Sequence, residues 1–172
     1  LGDTVSGAIS VAGEQDLYSL ALATDSRLHF DSLTDNATLN WTLTGPAGTV
    51  VNARSFQLSD SFDFAPPLLS LVAGSYTLMV DANADSTASY SFRFLDFAAA
   101  QVLTPGTPVS GDLTPANESD LYRFTAVAGD RFFFDVQTGI SNATWRLIDP
   151  YNNTLFSNGF TTDEETLLIP RG

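Results

Sequence analysis

The chain contains no cysteine and no lysine, and only one histidine and one methionine. Without cysteine there can be no disulfide, no thiolate metal site and no cysteine nucleophile. A transition-metal site would need a shell of carboxylates, which zinc seldom uses. No signal peptide and no apolar run of membrane-spanning length occurs, and no window shows sustained helical spacing with caps. Basic charge is scarce: seven arginines, scattered singly, stand against twenty acids, for a net charge of −13. Such a chain is repelled by phosphate backbones and anionic lipid, which argues against nucleic-acid and membrane partners. Small extracellular modules of eukaryotes commonly carry disulfide staples. A cysteine-free, acidic chain rich in Ser, Thr and Asn therefore points to a bacterial protein, secreted or held at the cell surface. Because the chain opens inside a motif, at Leu1-Gly2, a targeting segment is expected upstream.

What is present is a repeat. Gly2-Asp3-Thr4-Val5-Ser6-Gly7 returns as Gly106-Thr107-Pro108-Val109-Ser110-Gly111, an offset of 106 − 2 = 104. The same offset pairs Asp16-Leu17-Tyr18 with Asp120-Leu121-Tyr122, Phe30-Asp31 with Phe134-Asp135, Trp41 with Trp145 and Pro46 with Pro150. Two copies of one fold follow. The periodicity within them is two: Leu28 and Phe30 alternate with Arg27, His29 and Asp31; Leu39, Trp41 and Leu43 with Asn40, Thr42 and Thr44; Tyr76, Leu78 and Val80 with Ser75, Thr77 and Met79. Alternation marks strands with one buried and one wet face. The second copy keeps the phase, and a one-residue slip would turn every core residue to solvent. Short strands punctuated by turns such as Thr44-Gly45-Pro46-Ala47-Gly48 predict an all-β protein of tandem antiparallel β-sandwich, jelly-roll-like domains. The first domain spans 1–97, a short linker 98–105, and the second domain 106–172. That second copy has no counterpart of residues 74–95, and an unclosed sandwich exposes strand edges. The natural protein is thus expected to continue past Gly172, or a neighbouring chain to supply those strands.

The order and spacing of several motifs resemble the bacterial pre-peptidase C-terminal (PPC) domain family. They are the opening Val-Ser-Gly with Glu14-x-Asp16-Leu17-Tyr18, the turn Leu43-Thr44-Gly45-Pro46-Ala47-Gly48, and Ala73-Gly74-Ser75-Tyr76-Thr77-Leu78-Met79-Val80. The second copy carries Glu118-Ser119-Asp120-Leu121-Tyr122 and Leu147-Ile148-Asp149-Pro150. The resemblance covers nearly the whole chain. It implies a small β-sandwich appended to secreted proteases, collagenases or large surface proteins, some relatives of which bind collagen, polysaccharide or calcium.

Calcium is the cation the composition suits best, since it accepts carboxylate, amide and carbonyl oxygens from loops. One candidate set is Asp81-x-Asn83-x-Asp85, although Ser86 and Phe92 stand where an EF-hand needs Gly and Glu, and a solvated turn is the favoured reading. The other is Glu14-x-Asp16, repeated as Glu118-x-Asp120; here a bond from Asp16 and Asp120 to backbone groups at the strand start is favoured. For enzymes, His29 lies on the polar phase and reads as a surface histidine, its counterpart being Phe133. No Gly-x-Ser-x-Gly or His-Glu-x-x-His occurs. The carboxylate pair Asp60/Asp63 becomes Glu164 and Leu167 in the second copy, so a glycosidase pair is not repeated. Trp41 and Trp145 belong to the apolar phase and are expected in the core, while Phe133 is the aromatic on the wet phase.

The expectation is therefore a non-catalytic accessory or spacer module of a larger secreted or surface protein. Its partners are the rest of the parent polypeptide, and the alternative is a polysaccharide- or matrix-protein-binding module assisted by calcium.

Overall fold

A computed structural model describes residues 1–59, 63 and 68–170. The chain is all-β, with fourteen strands among the described residues and two single-turn 3-10 segments. It divides into two compact units, Leu1–Arg123 and the remainder from Phe124 on.

In the first unit, β1 (Val5–Ile9), β3 (Ser26–Ser32), β6 (Leu69–Leu71) and β8 (Ala88–Asp96) form one antiparallel sheet in the order β1-β8-β3-β6. The strands β2 (Gln15–Leu22), β4 (Leu39–Gly45), β5 (Gly48–Ser55) and β7 (Gly74–Ala82) form the other, in the order β2-β7-β4-β5. The hairpin β7–β8 thus supplies an inner strand to both sheets. Alternation explains the layering: Leu28 and Phe30 from one sheet meet Trp41, Leu43, Leu78 and Val80 from the other in a single core. Phe30 stacks on Trp41 with ring centroids 4.0 Å apart. The Trp41 indole N–H, which burial would otherwise orphan, donates to Ser59 Oγ at 2.7 Å. The arrangement is two-layered and sandwich-like.

Two of the repeated motifs have direct packing causes. A Cβ on Gly7 would stand 2.5 Å from the Tyr90 hydroxyl and 2.6 Å from that of Tyr18. The glycine therefore leaves room for two tyrosines bonded to each other at 2.7 Å. Likewise a Cβ on Gly45 would sit 2.1 Å from the Tyr76 ring, and one on Gly74 would sit 2.4 Å from Pro46. The proline turn and the Gly-x-Tyr strand are two halves of one contact.

The unit boundary differs from the repeat boundary. The expected linker is ordered: residues 97–99 form a 3-10 turn, and β9 (Gln101–Val102) pairs in parallel with β10 (Tyr122–Arg123). Residues 106–123, the opening of the second repeat, accordingly lie in the first unit.

The second unit contains β11 (Arg131–Phe134), β12 (Thr144–Ile148), β13 (Thr154–Gly159) and β14 (Glu164–Leu168). These form two separate antiparallel pairs, β11-β14 and β12-β13. By the offset β11, β12 and β13 correspond to β3, β4 and β5 of the first unit; β14 does not fall at β6 by that offset, though it pairs with β11 as β6 pairs with β3. Phe134, Trp145 and Phe156 cluster here, with Trp145 and Phe156 ring centroids 5.2 Å apart. Trp145, expected in the core, is only half-buried.

Candidate functional site

The sequence placed His29 and Asp31 on a wet strand face, and the structure corrects this. His29 is 1% exposed and Asp31 is fully buried. Asp31 and the Ser32 carbonyl meet residues 117–119 from the opening of the second repeat, the 3-10 turn at residues 97–99 also lies against β3, and the strand is buried along Leu28–Ser32. Asp31 is the centre of the contact. Arg93 opposes it on β8 by antiparallel register and donates from Nε to Asp31 Oδ2 at 2.7 Å. The second carboxylate oxygen, Oδ1, accepts the Ser119 backbone N–H at 3.1 Å. Arg93 reaches on through Nη2 to Glu118 Oε1 at 2.7 Å and to the Ser119 carbonyl at 3.2 Å. Asn117 donates its side-chain amide to the Ser32 carbonyl. His29 Nε2 lies 3.9 Å from Asp31 Oδ1.

Burial pushes the Asp31 carboxyl up to about 6 from its ordinary 3.8, against the opposing pull of Arg93 and Ser119. Desolvation works against the Arg93 charge, but its bonds to Asp31 and Glu118 leave its pKa raised overall. The chemistry is that of a fastening. A planar guanidinium bridges two carboxylates, and the bridge joins strands of repeat one to the first turn of repeat two.

Of the residues considered for calcium, Glu14, Asp16, Asp81, Glu118 and Asp120 have their carboxylates engaged in hydrogen bonds within the chain. Glu14 accepts the Ser10 and Val11 amides, closing the turn between β1 and β2. Glu118 does the same for Thr114 and adds Arg93. Asp16 accepts the Tyr90 hydroxyl, whose pKa is raised by burial and then by this bond. The expected partner of Asp16 was a backbone group; the actual one is a side chain brought in by β8. Asp120 accepts the Tyr122 hydroxyl at 3.4 Å. Asp81 accepts Gln15 Nε2 at 2.8 Å and the Ala82 amide. Asn83 and Asp85 are exposed in a 3-10 turn whose Ala84 and Asp85 have φ of 51° and 58°. Among the described residues, no three His, Asp or Glu side chains gather at one point. Of the carboxylate pair Asp60/Asp63, Asp60 lies outside the described residues, as do Arg171 and Gly172.

Sequence reasoning missed Asp31 and Arg93. A signal for Asp31 existed, because Phe-Asp recurs at 30–31 and 134–135 in a strand where His29 and Ser32 change to Phe133 and Val136. Arg93 lies outside the stretch over which the two copies can be compared, so the repeat could not single it out. The chain matches no protein-family model, no curated protein and no solved structure. Among the described residues, no helix is long and apolar enough to cross a membrane.

Proposed function

We propose that the chain is a tandem pair of PPC-like β-sandwich modules without a catalytic role. On this reading they belong to a larger secreted or surface-attached bacterial protein, which they space, stabilise or attach outside the cell. The observation that carries the reading is the fastening around Asp31. The opening of repeat two is bonded to repeat one by the Arg93–Glu118 ion pair, by the Ser119 amide on buried Asp31 and by Asn117 on the Ser32 carbonyl, where a flexible tether would leave that segment solvated. The repeated Gly, Asp and Tyr positions also support it, because their side chains are used in packing and internal hydrogen bonds.

The test is to probe the isolated 172-residue chain against glycan and collagen arrays, with and without chelator. The spacer reading expects no specific ligand; saturable binding to one glycan or to collagen would replace it with the binding-module reading. Calcium is tested separately. Stripping with chelator and restoring millimolar calcium would raise the melting temperature if the folded chain holds the ion, because a ligand that binds only the native state stabilises it. An unchanged melting temperature removes calcium from the proposal.

A further inference from the structure

The segment that opens the second repeat is held to β3 and β8 by polar groups. From Thr104 to Ala116 every residue except Leu113 is exposed. Residues 117–119 carry the contact, through Asn117 on the Ser32 carbonyl and the Ser119 amide on Asp31. Glu118 adds the Arg93 ion pair and folds back onto the Thr114 amide. Two carboxylates therefore share one guanidinium, with side-chain exposures of 0% for Asp31, 15% for Glu118 and 18% for Arg93. With both acids ionised, this group of three holds one negative charge too many. An excess charge in a desolvated place is costly, and a carboxylate relieves the cost by taking a proton. The surroundings do not cancel the excess. Leu1, Asp96 and Asp120 line the adjoining cleft of about 240 Å³ with Arg93 and Ser119, and the two acids add negative potential. Neither β6 nor the 3-10 turn at residues 97–99 brings a charged group to β3. On β3 itself, His29 Nε2 is 3.9 Å from Asp31 Oδ1.

We propose that the opening of the second repeat is a proton-operated latch on the first unit. Residues 113–120 seat on β3 and β8 while the carboxylate pair keeps one proton, and lift as that proton leaves, with both sheets still folded. Lifting parts Asp31 from Glu118 and lets each meet water, which disperses the excess charge without opening the core. A local opening of this kind suits a segment with few buried apolar contacts. The sign follows from burial. Seated, the Asp31 carboxyl is pushed up to about 6; uncovered, it returns towards its ordinary 3.8. The seated state thus binds the proton more tightly, and acid closes the latch. Closure is fullest below pH 3.8 and is lost as pH rises through about 6. From pH 7.5 to pH 5 the ratio of seated to lifted segment should rise about tenfold. Protonation of His29 on lifting would act in the opposite sense, because an uncovered imidazole takes up a proton that a buried one resists. The latch depends on contacts within the first unit and goes beyond the accessory role.

The test is amide exchange on the full chain at about pH 5 and about pH 7.5, each rate divided by its intrinsic value at that pH. The Ser119 amide, which donates to Asp31, and the Glu118 amide, which donates to the Pro115 carbonyl, report the latch. Amides of β7, an inner strand between β2 and β4, report global unfolding. The two reporters should be at least about tenfold less protected than β7, and their protection should rise about tenfold at the lower pH. Asp31→Asn should abolish that rise. Glu118→Gln leaves one carboxylate to one guanidinium and should shrink the rise; being at a partly exposed position, it also serves if Asp31→Asn fails to fold. His29→Gln should keep or enlarge the rise. The proposal is overturned if the reporters exchange only as fast as β7, or if their protection is equal at both pH values or falls in acid. It is also overturned if either carboxylate variant leaves the rise unchanged, or if His29→Gln removes it, since the histidine would then be the switch.

Discussion

Replacing Arg93 by alanine leaves Asp31 buried with Ser119 but no cation bonded to it, and the cost should depend on pH. Truncating one partner of a buried ion pair typically costs about 3–5 kcal/mol, because the remaining charge is stranded. A carboxylate can escape that cost by taking up a proton, and Asp31 is already biased towards doing so. Its folded pKa is raised to about 6 from 3.8, so the folded state binds the proton more tightly than the unfolded chain. The contribution of this group to stability is therefore fullest below pH 3.8 and is lost as pH rises through about 6. At about 1.4 kcal/mol for each tenfold in the ionisation constant, the span is worth about 3 kcal/mol. Arg93 is what keeps that loss from being larger, and without it the folded pKa climbs further. The destabilisation caused by Arg93→Ala should thus be small at pH 4.5, about 1 kcal/mol for lost packing and the Glu118 bond. At pH 7.5 it should reach about 3 kcal/mol or more. Urea unfolding in a Trp145→Phe background measures this, since emission then reports Trp41 in the first unit. A destabilisation equal at both pH values would refute the reasoning, because it would mean that the Asp31 charge carries none of the cost.

Three further outcomes follow from the same geometry. Asp31→Asn keeps the acceptor for Ser119 but cannot ionise, so it should flatten the stability profile between pH 4 and 6 by up to about 3 kcal/mol, read from urea midpoints across that range. Gly7→Ala forces a methyl into the hydroxyls of Tyr18 and Tyr90 and should lower stability by about 1–3 kcal/mol, seen as a drop in the melting temperature of the first unit. Ser59→Ala strands the Trp41 indole N–H and should cost about 1–3 kcal/mol; if equilibrium unfolding shows no loss, that hydrogen bond does not contribute.

The strands of the first unit were legible because Leu28/Phe30, Leu39/Trp41/Leu43 and Tyr76/Leu78/Val80 keep strict alternation, and one wet face fixes their phase. The same rule failed at His29 and Asp31. Alternation reports only that a face is polar, and a polar face covered by another polar segment looks the same as one covered by water. The repeat located Asp16 and Glu14 as fold positions, yet the Asp16 partner, Tyr90, lies 74 residues away and no local pattern announces it. The two-sheet topology was likewise beyond local reading. That β7 and β8 are inner strands depends on pairings between distant segments.

The fastening at Asp31 also gives an array of such repeats a direction. Each repeat would complete its own burial with the first turn of the one that follows, so the unit that is copied in sequence is not the unit that folds. Cutting at the sequence boundary, after residue 97, would uncover Asp31 and His29 and weaken the module upstream of the cut. Stability in such a series is coupled between nearest neighbours, and the coupling is reciprocal: the earlier repeat buries its carboxylate under the later one, and the later one's opening segment is ordered by the same bonds.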